Sequence, residues 1–310
     1  MKYKKILVTG GTGMVGAALQ RVIPDATFLS SLDCDLRDSK RTRIMMQEQK
    51  PDAVIHLAAK VGGIKANMEN LGDFYRENIL INTNVLEASH LNNVKKVVSL
   101  LSTCIYPDKV TYPLTEDQIH NGPPHRSNYA YAYAKRMLDI QSQAYREQYG
   151  CNFVTAVPNN LFGENDNYDL NDSHVIPAMI HKMYLAKQNN ESVVLWGDGS
   201  PLREFTYSFD LAKVLMFLLE NYDGVEPLNV GNTGEHSIKE VAELVAQNIG
   251  FDGEIIWDTS KPKGQFRKPS DNSKLIELGW NSDSYTSFDD AMKASCEWFL
   301  NNIRNARGVR

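Results

Sequence analysis

The stretch VTGGTGMVG, residues 8–16, decides the fold. It continues the apolar run ILV, residues 6–8, which is typical of a buried strand, and it opens a segment with helical periodicity. Gly10, Gly13 and Gly16 recur every three residues across this boundary. Glycines so placed allow a tight turn and let the backbone approach a pyrophosphate, which the helix N-terminus attracts. The motif favours a dinucleotide-binding turn over the alternative, a glycine-rich turn without a ligand.

The rest of the first half alternates β-branched runs with amphipathic helical patterns, which is typical of βαβ units and a parallel sheet. We predict strands at ATFLS, AVIHLAA, KKVVSLLS and FVTAVP, and helices over about 41–49, 75–91 and 131–149. After Pro158 this rhythm gives way to a loop rich in Asn and Asp, followed by shorter elements. The sequence thus predicts an α/β fold, a Rossmann-type doubly wound parallel sheet with a smaller C-terminal α/β substrate lobe.

We expect the NADP-binding Rossmann domain to cover residues 1–165 and the substrate lobe to cover residues 166–310. The two are expected to interleave, because DLAKVLMFLLEN and PLNVG, within residues 206–231, have the pattern of a helix and a strand that return to the sheet. Loops of the lobe would then cover the carboxyl ends of the strands, where open α/β sheets bind ligands. The C-terminal RNARGVR is expected to be a solvated tail.

Composition and charge exclude several classes of protein. The 310 residues carry a net charge of −5 without a basic stripe, so a nucleic-acid partner is not expected. No apolar run reaches the ~20 residues of a membrane span and no secretory signal is visible, so we expect a cytoplasmic protein without a membrane partner. The scattered cysteines show no disulfide framework, and no metal site is predicted; they are Cys34, Cys104, Cys151 and Cys296.

The end of the second predicted strand indicates which dinucleotide is bound. ATFLSS closes with Ser30 and Ser31, where NAD-binding proteins usually have an acid for the ribose 2′-hydroxyl. The missing acid favours NADP(H). Arg37 could contact the 2′-phosphate or be an ordinary surface charge, and Asp35 is a candidate acceptor for the adenine amino group.

The segment YAYAKR places Tyr131 and Lys135 four residues apart, hence on one face of a predicted helix. We expect the ammonium to lower the pKa of the phenol and to bind a ribose hydroxyl. The same spacing also occurs on amphipathic helices that have no catalytic function. Ser102 follows the strand that precedes this helix, and it is the third polar group of the predicted site.

Together these features resemble the extended short-chain dehydrogenase/reductase family over nearly the whole chain. The segments STCIYP, HNGPPH, YAYAKR, SHVIPAMIHK and WGDGSPLREF are similar to those of its GDP-sugar epimerase/reductases. The resemblance implies conversion of GDP-4-keto-6-deoxy-D-mannose to GDP-L-fucose, by epimerisation at C3 and C5 followed by NADPH-dependent reduction at C4. Dehydratases of the family have an Asp-Glu pair where this chain has Thr103-Cys104, which disfavours dehydration.

The resemblance also implies a role for each catalytic residue. Cys104 would be the base and His174 the acid of epimerisation, and Tyr131 would protonate the C4 oxygen with Ser102 and Lys135 in support. A thiol and an imidazole both titrate close enough to neutral pH to exchange protons with carbon acids. The alternatives are that Cys104 fills the core and that His174 is an exposed loop residue.

The same resemblance implies which residues bind the two ligands. The cofactor positions are Gly10, Gly13, Met14, Val15, Gly16, Asp35, Arg37, Leu57, Ala58, Ala59, Lys135, Pro158, Asn160, Leu161 and His174. The GDP-sugar positions are Lys182, Trp196, Arg203 and Lys268. Three positions depart from the family: Thr12 and Lys182 replace arginines of the bacterial members, and Lys263 replaces an acid that contacts the substrate.

Two other functions remain open at this stage. An NAD-dependent nucleotide-sugar 4-epimerase would use the same Tyr-Lys pair, although Cys104 and the non-acidic strand end count against it. A non-catalytic NADP-binding protein would have lost at least one of Ser102, Tyr131 and Lys135, and all three are present. Relatives pair two long helices into a four-helix bundle, so we expect a homodimer through the helices that end near Leu91 and Tyr149.

Overall fold

A computed structural model describes residues 2–261 and 266–309. Its first half alternates strands and helices: β1 (Ile6–Thr9), α1 (Met14–Val22), β2 (Thr27–Leu29), α2 (Ser39–Gln49), β3 (Ala53–His56), α3 (Ile64–Glu69), α4 (Leu71–Leu91), β4 (Lys96–Leu100), α5 (Tyr129–Tyr149) and β5 (Phe153–Pro158). The predicted strands and the three predicted helices are confirmed, and the short helix α3 was not predicted.

Six parallel strands form the central sheet in the order β2-β1-β3-β4-β5-β9, where β9 is Leu228–Val230. The residues of β1, β3, β4, β5 and β9 are buried throughout, because helices cover both faces of the sheet. Helices α1 and α7 (Ser208–Asn221) pack on one face, and α2, α4 and α5 pack on the other. The sheet is therefore doubly wound, as predicted.

The second half adds the smaller layers: β6 (Asn160–Phe162), α6 (Val175–Asn189), β7 (Val193–Trp196), β8 (Leu202–Tyr207), β10 (Glu235–Ser237), α8 (Ile238–Ile249), β11 (Ile255–Asp258), α9 (Ser273–Glu277) and α10 (Phe288–Asn302). They form a three-stranded sheet, β10-β8-β6, and a two-stranded sheet, β11-β7. A separate apolar core joins α6, α8 and α10.

The C-terminal segment corrects one sequence-based expectation. The backbone N–H of Tyr168 donates to the carbonyl oxygen of Arg307 at 2.8 Å, and Ala306 is buried against the core of the second half. The prediction of a solvated tail was wrong, because an alanine and a valine in RNARGVR find apolar neighbours that only the fold supplies. Among the helices of the described residues, none is long and apolar enough to cross a bilayer.

Candidate active site

The glycine-rich turn lies where β1 and β3 meet at the topological switch point of the sheet. Gly10 has a φ of +71°, and a Cβ atom there would lie 2.9 Å from the backbone nitrogen of Ala58. A Cβ atom on Gly16 would lie 2.5 Å from the carbonyl oxygen of Gly11. Both positions require glycine because the backbones approach too closely for a side chain, as in a dinucleotide cradle.

The first turn of α1 supplies donors for an anion. Gly13 precedes the helix and provides no side-chain cap. The N–H groups of Met14, Val15 and Gly16 have no intrahelical acceptors, as in the first turn of any helix. Together with the helix dipole these groups suit a pyrophosphate, so the residues present fit a bound dinucleotide.

Other predicted cofactor positions also lie at carboxyl ends of strands. Leu57 to Ala59 follow β3, and the N–H of Leu57 donates to the carbonyl of Thr9 at 3.2 Å. Pro158 ends β5, and β6 begins at Asn160, whose side-chain amide donates to the carbonyl of Glu204 at 2.9 Å. The central sheet therefore brings residues 57–59 and Pro158 to the same edge as the glycine-rich turn. Leu161, in β6, packs against the apolar core that includes Val8 of β1.

Arg37 and Asp35, predicted to serve the adenosine half of the cofactor, are paired with each other. Arg37 donates from Nε and Nη2 to Asp35, at 2.8 Å each, and from Nη1 to Glu77 at 2.9 Å. Hydrogen bonds from the guanidinium lower the pKa of Asp35 to about 2. A 2′-phosphate at Arg37 would therefore share the guanidinium with two carboxylates.

An acid that the sequence analysis overlooked closes the turn after β2. Asp33 accepts hydrogen bonds from the N–H of Ser30 at 2.8 Å and from its hydroxyl at 2.7 Å. The hydroxyl bond and then the backbone bond lower the pKa of Asp33. The signal was the S-x-x-D spacing, in which an acid folds back onto the start of a turn.

Cys104 lies in a turn of residues 100–105, which we call the thiol turn. Three cations donate to its carbonyl oxygens: Lys135 to Leu100 at 2.8 Å, Lys268 to Thr103 at 2.8 Å and Arg136 to Ile105 at 2.6 Å. The hydroxyl of Ser102 accepts from the backbone N–H of Cys104 at 3.4 Å. Side chains from two distant parts of the chain thus fix the backbone on both sides of the thiol.

The thiol itself is partly exposed but closely surrounded by protein. Burial raises the pKa of Cys104, against a hydrogen bond with Ser102 and the positive charges of Lys268 and Lys135, which lower it. At neutral pH the thiol is the dominant form, and the neighbouring cations stabilise the thiolate when a proton leaves. This arrangement suits a base that works transiently.

Tyr131 and Lys135 are brought to the thiol turn, but their electrostatics differ from the prediction. Burial raises the pKa of Tyr131, and the negative charge of an ionised Cys104 raises it further. Lys135 lies with Nζ 5.9 Å from the ring centroid of Tyr131 and donates to a backbone carbonyl instead. The expectation that the ammonium lowers the phenol pKa was wrong, because burial dominates. Tyr131 is consequently a protonated donor at neutral pH.

Lys135 also acts on a buried histidine, His56, that the sequence analysis missed. Burial, with a smaller contribution from Lys135, lowers the pKa of His56 to about 3, and burial lowers that of Lys135 to about 8. His56 Nε2 lies 3.1 Å from the side-chain oxygen of Asn82, and Nδ1 lies 2.8 Å from the hydroxyl of Thr9. A neutral ring can donate to the amide oxygen and accept from the hydroxyl, which ties β1 and β3 to α4.

His174 stands at the N-terminus of α6 and ends a loop, residues 163–174, that we call the acid loop. His174 keeps an exposed surface, yet desolvation of the imidazole by the surrounding protein lowers its pKa, with Asp172 opposing this effect and Arg307 adding to it. Asp172 accepts from the N–H of Gly63, at 3.0 Å on Oδ1 and 3.2 Å on the carbonyl oxygen. The acid loop therefore rests on the segment that follows β3.

An electrostatic interaction joins two of the predicted substrate residues, Arg203 and Lys268. Lys268 reaches the thiol turn, and the charge of Arg203 adds to burial in lowering the pKa of Lys268. Lys182 is half-buried on α6, and Trp196 ends β7 with 63% of its surface exposed. Within residues 2–261 and 266–309, no hydrogen bond or ring contact joins these two to Arg203 or Lys268. Lys263 lies outside the described residues.

Comparisons with known proteins show which family the chain resembles. Residues 6–231 match the model of the NAD dependent epimerase/dehydratase family. The chain is 48% identical to GDP-L-fucose synthase of Dictyostelium discoideum over 98% of both chains, and 44% identical to the probable GDP-L-fucose synthase of Drosophila melanogaster over 98% and 99%. It is also similar to the crystal structure of a GDP-L-fucose synthetase from Naegleria fowleri bound to NADP. That similarity has a TM-score of 0.94 and 41% identity, over 98% of this chain and 95% of the other.

Proposed function

The chain belongs to the NAD dependent epimerase/dehydratase family and, within it, to the GDP-L-fucose synthases, and on this basis we propose how its own residues carry out the reaction. The substrate is GDP-4-keto-6-deoxy-D-mannose, the product is GDP-L-fucose and the cofactor is NADP(H). The observation that carries the proposal is the thiol turn, where a thiol and a phenol lie within a cluster of cations.

Epimerisation uses Cys104 and His174. The 4-keto group acidifies the hydrogens on C3 and C5, so the Cys104 thiolate removes each proton in turn to give an enolate. His174 returns a proton on the opposite face of the ring. The low pKa of His174 makes the imidazolium a strong acid, and the raised pKa of Cys104 makes its thiolate a strong base.

Reduction uses the residues of α5. Bound NADPH supplies the hydride that C4 receives. Tyr131 donates its phenolic proton to the C4 oxygen, and Ser102 hydrogen-bonds the same oxygen. Lys135 supports the reaction by holding the thiol turn through the carbonyl of Leu100, with its Nζ 5.9 Å from the ring centroid of Tyr131. The raised pKa of Tyr131 keeps the phenol protonated until reduction takes place.

The first experiment incubates the purified protein with GDP-4-keto-6-deoxy-D-mannose and NADPH in D2O. We expect NADPH oxidation, and we expect GDP-L-fucose to carry deuterium at C3 and C5. GDP-6-deoxy-D-talose or GDP-D-rhamnose without deuterium at these carbons would show reduction alone and refute the epimerase function. Cofactor binding without turnover would instead favour a non-catalytic NADP-binding protein.

We also propose that residues 1–165, with 206–231, bind NADP(H) and that the rest of 166–310 binds the GDP-sugar. Strand β9 supports the interleaving, because Val157 pairs with Asn229 in the parallel sheet. Hydrogen exchange would test the division: NADPH alone should protect the first part, and GDP alone the second. Protection of the same part by both ligands would contradict it.

We propose in addition that two copies pair through α4 and α5. Apolar side chains stay exposed on adjoining faces of these helices: Tyr75, Tyr129, Tyr133, Met137 and Ile140. A monomer mass by light scattering at micromolar concentration would refute this pairing, and Met137→Glu should abolish it. We place the protein in the cytoplasm because its four cysteines are free thiols, which cell fractionation would test.

A further inference from the structure

Lys268 holds a position that binding of the GDP-sugar does not by itself explain. Its ammonium donates to the carbonyl oxygen of Thr103 at 2.8 Å, one residue before Cys104. Thr103 and Lys268 are separated by 165 positions in the sequence, so this contact joins the second half of the chain to the thiol turn. An ammonium has three donors, and one is used here.

The backbone around Lys268 is held firmly enough to make the contact specific. Ser270 donates to the buried Glu204 from its N–H at 2.9 Å and from its hydroxyl at 2.6 Å. The N–H of Leu114 donates to the carbonyl of Pro269 at 2.8 Å. Segment 266–271 is therefore anchored both to β8 and to the segment that follows the thiol turn.

The charged, titratable and hydrogen-bonding groups that face Cys104 come from three elements. Lys135, Arg136 and Tyr131 lie on α5, Ser102 lies in the turn itself, and Lys268 arrives from the second half. Lys135 and Tyr131 belong to the machinery of C4 reduction. Arg136 and Lys268 are cations near the thiol that lie outside that machinery, and the charge of Lys268 has a larger effect on the thiol than that of Lys135.

We propose that Lys268 is a positioning residue for epimerisation, which fixes the thiol turn through Thr103 and supplies the positive charge that stabilises the thiolate of Cys104. This inference rests on the proposed function for its consequence in catalysis. Its physical part, the effect on the thiol, holds whether or not the GDP-sugar is the substrate. Lys268 would act on C3 and C5 exchange and, through its remaining donors, on the diphosphate.

The direct test measures alkylation of Cys104 by iodoacetamide from pH 6 to 10 in the protein with NADP bound and no sugar, by peptide mass spectrometry. Iodoacetamide is neutral, so loss of a lysine does not alter its attraction to the site. In Lys268→Met we expect the midpoint to move about 0.5–1 pH unit upward, which is about three- to tenfold less thiolate at pH 8. Cys151, which is remote from Lys268 in the sequence and close to Arg146 instead, is the internal reference.

Three variants control the experiment. Lys109→Met removes the same charge from an exposed side chain five residues beyond Cys104 and should leave the midpoint unchanged. Lys268→Arg keeps the charge and should keep the midpoint within about 0.3 unit. Lys182→Met should raise the KM for the GDP-sugar without affecting the thiol. Circular dichroism and melting temperatures show whether each variant is folded. If Lys268→Met does not fold, Lys268→Gln takes its place, because it also removes the charge and should move the midpoint in the same direction.

Catalysis gives a second readout. In Lys268→Met, the rate of deuterium wash-in at C3 and C5 should fall more than the affinity for NADPH. The alkaline limb of the pH profile of wash-in should move to higher pH, together with the midpoint of Cys104 alkylation. If the midpoint of Lys268→Met coincides with that of the wild type, Lys268 is a substrate ligand only and the inference is overturned. A shifted midpoint in a protein that does not turn over the GDP-sugar would support the inference and refute the proposed function.

Discussion

The thiol turn and the acid loop carry the two proposed proton-transfer residues, and they are held in opposite ways. The thiol turn is short, and charged side chains donate to its backbone from α5 and from segment 266–271. The acid loop is long and polar, and it rests on Gly63 and on the C-terminal segment. One site is fixed by electrostatics within the core, whereas the other depends on contacts near the surface.

The proposed base and the proposed acid also differ in how burial changes their pKa values. Burial raises the pKa of Cys104 and lowers that of His174, although one group becomes negative and the other positive. Both neutral forms are therefore favoured at rest. The active form, thiolate with imidazolium, is the minor one, which makes each group a strong catalyst when it forms.

Cys104→Ser should have the largest effect on exchange, because it removes the proposed base from the thiol turn and leaves the acid loop unchanged. A serine hydroxyl is far less acidic than a thiol, so exchange at C3 and C5 should fall about 10³-fold, within the range for losing a general base. Deuterium wash-in would be measured by NMR, with NADPH affinity as the control because the glycine-rich turn is unchanged. Exchange at the wild-type rate would exclude Cys104 as the base.

The pH dependence of exchange tests the opposite pKa shifts of His174 and Cys104. Because His174 titrates below 6.5 and Cys104 above 9.0, the product of imidazolium and thiolate fractions is constant between the two pKa values. Wash-in should be flat over this interval and fall about tenfold per unit outside it, on the acid side as thiolate is lost and on the alkaline side as imidazolium is lost. A narrow optimum near neutrality would contradict the assignment.

Gly308→Val should affect the acid loop while leaving the thiol turn intact. Gly308 has a φ of +85°, and a Cβ there would lie 2.3 Å from the backbone nitrogen of Asp169. We expect about fivefold slower exchange and a loss of stability of about 1–3 kcal/mol, with unchanged Cys104 alkylation. Gly279→Val is the matched control, because Gly279 has a φ of +106° but no atom within 4 Å of its Cβ position. Equal effects of both would mean that backbone strain alone is responsible.

Asp166 gives the smallest expected effect. Its carboxyl is buried in the acid loop, burial raises its pKa to about 7, and its Oδ2 has no hydrogen-bond partner among the described residues. The folded state therefore holds this proton more tightly than the unfolded state, and stability is lost as pH rises from 3.8 towards 7. Asp166→Asn should gain about 1–2 kcal/mol relative to the wild type between pH 5 and 8, measured by urea unfolding. A difference independent of pH would show that the carboxyl does not titrate in this range.

Much of the molecule could be predicted because its signals are local. The glycine spacing, the buried strands and the helices before and after Ser102 follow from periodicity and turn chemistry, and each lies where the sequence analysis placed it. The C-terminal segment could not be predicted in the same way. RNARGVR has no periodicity, and its role depends on the fit of Ala306 and Gly308 against a distant loop.

The sequence by itself therefore determined the fold class, the family, and the residue types available for proton transfer. Tertiary structure decided how those residues behave. Burial sets the pKa of Tyr131 against the expectation from Lys135, and the contact of Lys268 with Thr103 joins segments 165 positions apart. Periodicity reports a residue's own element, whereas desolvation and Coulomb interaction depend on every element that packs around it.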